Sequence, residues 1–479
     1  MRKTLRNTSL VSGFAVLLLS GCVVGPDYKT PSLLTPASWN ASYSKTAERP
    51  PEFGHWWTRL NDPLLNSYVE RAVSGNLDVG AAIARVSEAR ATLAQDRGTL
   101  LPAFSNSDSV RRTKVSEVTA TGENPSTQYQ SGFDASWEID LFGGRQRSVE
   151  AARYGLDASE EDLRNTLLTL VGDVSSNYAQ VRAAQARLSL ARRTARSQRD
   201  TVALTRAKAE AGTATASEVS RAEGLAATTE AEIPSIEISR ATAVHRLGVL
   251  LGLPPAELAR RLEKSAPIPR PRFPMPVGIP ADTLLTRPDV RLAERRLAQS
   301  TARIGAAEAA RYPSISLTGN IASQALTLGD IAEKSTIGWS IGPAISIPIF
   351  RGGQLKAAVD IAKARRDGSA AAYQATVLTA MEDVENAIVS LNQNRARNGK
   401  LASAASSYRS ATRGAQVQYE GGSLEYLNLL DSQRAQYQAE SALIDSQLAV
   451  TQAYIALNKA LGGGWTGAIP DKLAAATTR

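Results

Sequence analysis

The sequence contains a tandem repeat with a period of about 210 residues, and this repeat limits the fold more than any other feature. The two halves share aspartates, prolines and glycines at matching positions: Asp78 and Asp289, Pro102 and Pro313, Gly212 and Gly422, and Gly252 and Gly462. A chain that is repeated with so few insertions is expected to build the same unit twice. In each half the pattern predicts a helix, two strands, a very long helix, a turn and a further helix.

Two segments in each half are predicted as strands; the first, at 103–115, is mostly polar, and the others alternate between apolar and polar residues. In the clearest one, Phe133, Trp137 and Ile139 share one face, whereas Asp134 and Glu138 share the other. This period of two is typical of a strand with one apolar face. We therefore expect strands at about residues 103–115, 128–141, 313–326 and 336–349.

Long helices are predicted for most of the remaining sequence. No proline interrupts residues 146–210, and about 65 helical residues would extend for about 100 Å. Apolar residues recur every seven positions along this segment, at Val149, Leu156, Leu163 and Leu170. This spacing is typical of helices that pack side by side as coiled coils. The helical pattern is interrupted where the tips of helical hairpins are expected, at Gly212, Gly421 and Gly422.

Residues 1–21 have a basic start and an apolar run from Phe14 to Leu19, which is typical of an export signal peptide. The segment from Leu19 to Cys22 matches a bacterial lipobox, and Cys22 is the only cysteine in the chain. We therefore expect an acyl chain on Cys22 and no disulfide within the chain. Val23 follows the cysteine, at a position where an aspartate would favour retention in the inner membrane. In a Gram-negative host, sorting to the outer membrane is therefore expected.

These features divide the chain into consecutive segments. They are a signal peptide (1–21), an acylated tether (22–61), a first repeat (62–252), a Pro-rich connector (253–281), a second repeat (282–464) and a C-terminal tail (465–479). The net charge is +9, and basic residues occur along the predicted helices, as at Arg192 and Arg193. We interpret them as solvated helix faces and expect no binding of nucleic acid.

The residues that most enzymes need are scarce in this sequence. Only His55 and His245 are present, the single thiol is assigned to lipid, and no Gly-rich phosphate loop, nucleophile elbow or metal-ligand cluster occurs. Acidic neighbours such as Glu160 and Glu161 lie on a predicted long helix, where a solvated face is expected. The sequence therefore predicts that the protein is not an enzyme and has no cofactor apart from the covalent lipid.

The predicted strands are long enough to cross a membrane when they are tilted. Four strands cannot close a barrel, and an open sheet edge in lipid leaves unpaired backbone groups at a high cost. If these strands cross a membrane, several copies of the chain must therefore share one barrel. The alternative is a small soluble sheet that caps a helical rod. Pro343 lies within the fourth strand and cannot donate to the ladder, so we expect a local bulge there.

Several short motifs occur in a fixed order along the mature chain. They are Cys22-Val23-Val24-Gly25-Pro26-Asp27-Tyr28, Trp56-Trp57, Asp62-Pro63-Leu64-Leu65-Asn66, Arg287-Pro288-Asp289-Val290-Arg291, Pro348-Ile349-Phe350-Arg351-Gly352-Gly353 and Ala460-Leu461-Gly462-Gly463-Gly464-Trp465. The ordered set resembles the outer-membrane factor family of TolC-like channels, and within it the NodT-type efflux lipoproteins. The resemblance implies a mainly helical, tandem-duplicated TolC-like fold. It also implies a homotrimer in which four strands per chain form a twelve-stranded barrel, continuous with a long periplasmic α-barrel.

The resemblance further implies residues that close such a channel at its periplasmic tip. At the second hairpin tip Asp431 corresponds to an acidic ring residue, whereas Asn428 replaces a second acidic residue. Tyr419 and Glu218 correspond to residues that link the helices of a closed tip. In a trimer, three Asp431 carboxylates would repel one another and favour cations over anions. The alternative is that Asp431 is a solvated residue in the first turn of a helix.

Partners and a function are implied in the same way. The partners are a periplasmic adaptor of the membrane fusion protein class, an inner-membrane pump of the RND or MFS type, and outer-membrane lipid. The implied function is conduction of small molecules, such as drugs or toxic organic compounds, from the pump to the exterior. A channel for type I protein secretion is one alternative. A periplasmic coiled-coil adaptor lipoprotein is another, which the duplicated hairpin and the strand pairs disfavour.

Overall fold

The computed structural model of this chain describes residues 23–31, 54–118, 125–272, 284, 287–331 and 333–464. Its helices are α1 (Pro63–Gly75), α2 (Leu77–Gly98), α3 (Gly144–Glu210), α4 (Ala216–Leu250), α5 (Pro255–Arg261), α6 (Pro288–Ala309), α7 (Gln354–Glu420) and α8 (Tyr426–Ala460). Its strands are β1 (Ala103–Thr113), β2 (Ser126–Ile139), β3 (Ser314–Ala325) and β4 (Ile337–Ser346). Cys22 lies outside the described residues, so its acylation stays a prediction.

The three main helices of the two halves have matching lengths. Helices α2 and α6 each contain 22 residues, α3 and α7 each contain 67, and α4 and α8 each contain 35. The predicted order of helix, two strands, long helix, turn and helix is therefore confirmed in both halves. None of the described helices is both long enough and apolar enough to cross a membrane.

The chain divides into two compact units, which are described separately. The first consists of the described residues within Met1–Ser32, Arg85–Glu160 and Leu292–Gln374, and it contains the four strands. The second consists of the described residues within Leu33–Ala84, Glu161–Arg291 and Ala375–Arg479, and it contains the turns that join α3 to α4 and α7 to α8.

The four strands of the first unit form one antiparallel sheet in the order β1-β2-β3-β4. The pairing of β3 with β4 is unbroken from Ser314 opposite Ser346 to Ser323 opposite Ile337. Pro343 lies within this ladder, opposite Leu317, so the bulge expected at Pro343 is wrong for this pairing. Within one chain β4 pairs only with β3, and this ladder passes the proline without an extra residue.

The interior of the second unit contains the apolar stripe predicted on α3. Leu163 and Leu170 are buried there together with the fully buried Leu167. In the first unit, Val149 and Leu156 of the same stripe are only half-buried. The stripe of α3 therefore contributes most to packing from the middle of the helix onward.

Each repeat has a joint at which one side chain holds the last carbonyl of a hairpin helix. In the first repeat, Asn76 Nδ2 donates to the Leu250 carbonyl at 3.0 Å. In the second repeat, Arg287 Nη1 donates to the Ala460 carbonyl at 2.7 Å. Arg287 also forms an ion pair with Asp383 at 3.2 Å. The same backbone joint is therefore held by a neutral amide in one half and by a guanidinium in the other.

Two of the motifs found in the sequence connect the start of the second unit to its end. Trp56 Nε1 donates to the Gly463 carbonyl at 3.1 Å, and the Tyr454 hydroxyl donates to the Trp56 carbonyl at 3.1 Å. Asp62 caps the N-terminus of α1 and also accepts a hydrogen bond of 2.6 Å from the Tyr178 hydroxyl. These bonds satisfy polar groups that packing would otherwise leave without partners.

Candidate functional site

Strands β2, β3 and β4 present one face of apolar side chains that the chain itself leaves exposed. The strand register places Phe133, Ile321 and Trp339 in one row across β2, β3 and β4. Phe133 is 62% exposed and Trp339 is 74% exposed, and Ile341 on the same face is 68% exposed. A continuous exposed apolar face of this kind marks a surface that contacts lipid or protein.

The opposite face of the sheet is polar, and Asp134 lies near its centre. Ser105, Asp134, Asn320 and Ser340 are neighbours across the four strands. The Asp134 carboxylate accepts hydrogen bonds from Ser107 Oγ at 2.9 Å and from Asn320 Nδ2 at 2.7 Å. Both donors are neutral, so they orient the carboxylate without cancelling its charge.

The two hairpin tips in the second unit have the same backbone turn. In each tip a glycine N–H bonds to the carbonyl three residues earlier, and the next N–H bonds to the carbonyl five residues earlier. The glycines are Gly212, with φ of 76°, and Gly422, with φ of 77°. Glycine closes a helix in this left-handed conformation without the steric cost of a Cβ. A Cβ at Gly421 would make only an ordinary contact of 3.5 Å with the Val417 carbonyl, so Gly421 is not required there.

Tyr419 lies immediately before the second tip and links α7 to α3. Its hydroxyl oxygen is 2.8 Å from Thr205 Oγ1. Thr205 Oγ1 donates its own hydrogen to the Thr201 carbonyl at 2.8 Å, so the Tyr419 hydroxyl is the donor of the pair. Lys208 Nζ donates to the Tyr419 carbonyl and lies 4.0 Å from the centroid of its ring, where a cation is attracted to the aromatic face. The structure therefore gives Tyr419 two partners on α3.

Glu218 makes its hydrogen bonds within its own helix terminus. Its Oε2 accepts from the Thr215 backbone N–H at 2.7 Å and from Thr215 Oγ1 at 3.1 Å. Thr215 Oγ1 in turn accepts from the Glu218 N–H at 3.3 Å, which completes a capping box at the start of α4. The role of Glu218 as a link to Tyr419 stays a prediction, whereas Thr205 and Lys208 do contact Tyr419.

Asp431 and Asn428 lie on the exposed side of α8. Asp431 is the sixth residue of α8, so it belongs to the second helical turn and not to the first. Leu429 and Leu430 between them are buried, which directs the two polar side chains away from the core of the unit. This placement is compatible with a ring that lines a pore and equally with solvated residues, so the ring stays a prediction.

A small apolar cluster holds the second tip together. Its buried members come from α4, α7 and α8 and are Ala222, Tyr419, Tyr426, Leu429 and Leu430. The rings of Tyr419 and Tyr426 meet edge to face, with their centroids 5.8 Å apart. Burial raises the pKa of Tyr426 from 10.0 to about 12, because the phenolate would lose its hydration inside the cluster. The cluster is therefore most stable with a neutral Tyr426.

Ion pairs connect the two helices of the first hairpin at regular intervals. They lie seven residues apart and join Arg192 to Glu237 at 2.7 Å, Arg199 to Glu230 at 2.5 Å, and Arg206 to Glu223 at 2.5 Å. Within the described residues, α7 and α8 share one such pair, between Arg409 and Glu440 at 2.8 Å. Exposed ion pairs contribute little stability individually, but regular spacing favours a single register of the helices. The first hairpin is therefore more strongly cross-linked than the second.

Sequence reasoning did not identify Thr205 and Lys208 as partners of Tyr419. The signal in the sequence was the pair Thr201 and Thr205, which lie one turn apart on a helix whose buried face is otherwise mostly apolar. In the structure these two threonines are 1% and 0% exposed. A lysine in the last turn of a helix, such as Lys208, is common near a helix C-terminus and gave no signal by itself. Among the residues that the structure describes, no group of three or more His, Cys, Asp or Glu side chains could hold a metal ion.

Comparison with known proteins gives matches over nearly the whole chain. The sequence model of a protein family described as outer membrane efflux protein matches residues 68–253 and 279–463. Nodulation protein T of Rhizobium leguminosarum bv. trifolii is 36% identical over 478 residues, which cover 96% of this chain and 98% of that protein. The solvent efflux pump outer membrane protein SrpC of Pseudomonas putida is 32% identical over 471 residues, which cover 95% and 97%. The solved structure of the outer-membrane channel OprN has a TM-score of 0.87 at 33% identity, and the match covers 93% of this chain and 100% of that one.

Proposed function

This chain belongs to the outer membrane efflux protein family, and from that premise we propose that it is the exit channel of a tripartite efflux system. It is a TolC-like protein of the outer membrane with a large periplasmic part. In the proposed system an inner-membrane pump passes substrate through a periplasmic adaptor, and this chain conducts the substrate to the exterior. It acts as a conduit, so it needs no catalytic residue and no cofactor other than the lipid on Cys22.

The observation that carries this proposal is the exposed apolar face of the four-stranded sheet. Strands β1 and β4 each have one neighbour in the described sheet, so their outer edges carry backbone groups that need partners. In hydrocarbon these groups must be paired, and three chains pair them by joining β1 of one chain to β4 of the next. The resulting homotrimer has the Trp339 row facing lipid and the Asp134 row facing the lumen.

We propose small organic molecules as the substrates. This rests on relatives that are named for solvent and toluene efflux pumps of Pseudomonas putida. A carboxylate that faces the lumen, as proposed separately for Asp134 and for Asp431, favours neutral and cationic molecules over anionic ones. The proposed partners are an adaptor of the membrane fusion protein class and a pump of the RND or MFS type, which selects the substrate.

Two neighbouring residues of β4 provide a matched test of this orientation. Trp339 lies on the apolar face and Ser340 on the polar face. An arginine on the lipid face of a barrel costs up to about 2–4 kcal/mol, and the cost falls towards the membrane surface. Trp339→Arg should therefore reduce the amount of heat-resistant trimer in outer-membrane fractions, whereas Ser340→Arg should insert normally and alter the conductance.

The test combines membrane fractionation with efflux and conductance measurements. A strain without the gene should become sensitive to organic solvents or drugs, and both the natural chain and Ser340→Arg should restore export. Purified protein should form trimers in detergent and channels in planar bilayers. A monomer that stays soluble without detergent would contradict the proposal, and so would equal insertion of the two arginine variants. Restored export of a protein substrate alone would indicate type I secretion.

A further inference from the structure

The residues that follow Cys22 are bound closely to the first unit. We call residues 23–30 the strap. It begins beside the end of the sheet, where the Val24 N–H bonds to the Phe142 carbonyl at 3.1 Å. Phe142 follows the last residue of β2, Ile139, by only three positions. The chain that emerges from the acylation motif is therefore attached next to the point where β2 ends.

Arg147, in the first turn of α3, holds the strap from one side. Its Nε donates to the Val24 carbonyl at 3.2 Å, and its Nη2 donates to the Gly25 carbonyl at 3.3 Å and to Asp27 Oδ1 at 2.7 Å. Nη1 forms a separate ion pair with Glu150 at 2.7 Å. The Arg147 side chain is only 6% exposed. A buried guanidinium that donates most of its hydrogen bonds to one short peptide fixes the course of that peptide.

Glycines allow the strap and its binding surface to approach to backbone contact. A Cβ on Gly25, where φ is 90°, would lie 2.3 Å from Cα of Gly305 in α6. A Cβ on Gly143, where φ is 75°, would lie 2.9 Å from Cα of Val23, and one on Gly305 would lie 2.8 Å from Cγ of Arg147. None of these contacts leaves room for a side chain. The glycines are explained by close packing and not by flexibility.

Tyr28 attaches the other end of the strap. Its hydroxyl donates to Glu294 Oε1 at 2.7 Å, and Glu294 is 8% exposed. Its ring packs edge to face on Tyr154, with the centroids 5.9 Å apart. Burial and the hydrogen bond to Glu294 both raise the pKa of Tyr28, so the hydroxyl keeps the hydrogen that it donates. The strap is thus bound at both ends.

We propose that the start of α3 and the middle of α6 form a docking site for the strap, and that this docking fixes where the lipid of Cys22 enters the membrane. The inference rests on the proposed acylation of Cys22. One peptide bond joins Cys22 to Val23, so the Cα of the acylated residue is within about 4 Å of the Val23 Cα. The proposed lipid is thereby attached next to the end of β2 instead of at the end of a loose tether.

A nitroxide on Lys29→Cys tests whether the strap is docked. Lys29 is exposed, and Cys22 is the only natural cysteine, so acylation leaves the new thiol as the single labelling site. The spectrum of the full-length protein in detergent should be that of an immobilised label. Arg147→Ala should make the mobile component the major one, whereas Arg153→Ala, an exposed arginine on the same helix, should change nothing. Tyr28→Phe, which leaves the helices intact, should give an intermediate spectrum.

The measurement is repeated in the unacylated Cys22→Ala background, where the label should remain immobilised. A label that is mobile in the natural chain would overturn the proposal, as would an immobilised label in both Arg147→Ala and Tyr28→Phe. Immobilisation that requires the lipid would show that the lipid holds the strap, and this too would overturn it. Loss of conductance or of trimers would count against the proposed channel and would leave the strap spectra unchanged, so the two failures are distinguishable.

Discussion

Replacing Tyr419 by phenylalanine removes one hydroxyl from the buried contact between α7 and α3. We expect Tyr419→Phe to raise the open probability of the channel, on the premise that opening separates the second hairpin from α3. Thr205 keeps its own hydrogen bond to the Thr201 carbonyl in the variant, so no buried donor is left without an acceptor. The loss is therefore that of one neutral hydrogen bond, about 1 kcal/mol.

The size of the increase in open probability tells whether the tips of the proposed trimer open independently or together. If each tip opens independently, about 1 kcal/mol favours the open state about fivefold. If all tips open together, three lost bonds amount to about 3 kcal/mol, and the open state is favoured about 150-fold. Lys208 still bonds to the Tyr419 backbone carbonyl in the variant, so the tip should remain folded.

Single-channel recording in planar bilayers measures the open probability directly. Tyr408→Phe is the matched control, because Tyr408 lies on the same helix and is 45% exposed. Tyr419→Phe and Thr205→Val remove the same hydrogen bond between the two hydroxyls. The open probability of the double variant should therefore not exceed the higher of the two values measured for the single variants. An open probability equal to that of Tyr408→Phe would refute the idea that this bond restrains opening.

Three further outcomes are expected. Asp431→Ala should weaken the preference for cations in reversal-potential measurements, and unchanged selectivity would remove Asp431 from the constriction. Because its folded pKa is raised, Tyr426 contributes stability that is complete below pH 10 and is lost as the pH rises from 10.0 to about 12. Tyr426→Phe should flatten this alkaline decline in thermal unfolding scans, and an identical decline in both proteins would contradict the assignment. Cys22→Ala should abolish palmitate incorporation while trimers still form, and labelling that persists would place the lipid elsewhere.

Much of the fold was predictable because long-range repetition and short-range periodicity agree. The repeat predicted the same order of elements in both halves, alternation around Asp134 marked the strands, and the heptad stripe through Leu163 marked the coiled coil. The glycines at the tips were also recognisable, since Gly212 and Gly422 both lie where a long helical pattern stops. The sequence could not tell that Gly422 and not Gly421 takes the left-handed conformation, because that depends on which N–H closes the turn. The domain boundaries stay predictions.

The polar contacts were less predictable, because they depend on which helices meet. Thr205 has the pattern of a core position, and only the packing of α7 against α3 gives its hydroxyl a partner. Gly25 lies in a segment that the sequence marks as a tether. The structure shows instead that glycine is needed there, because a Cβ would collide with the backbone of Gly305. Pro343 suggested a bulge, yet the ladder between β3 and β4 passes it without an extra residue. A glycine in the sequence can mark either a flexible segment or a close contact between two backbones, and residue type alone does not distinguish the two.

Asn76 and Arg287 occupy equivalent joints, so a ring of three chains would contain the same backbone joint six times while carrying charge at only every second one. An amide releases its carbonyl with the loss of one bond, whereas the guanidinium must also leave the Asp383 carboxylate. Neighbouring joints therefore differ in stiffness. The six repeats of the proposed trimer would accordingly flex with threefold and not with sixfold symmetry.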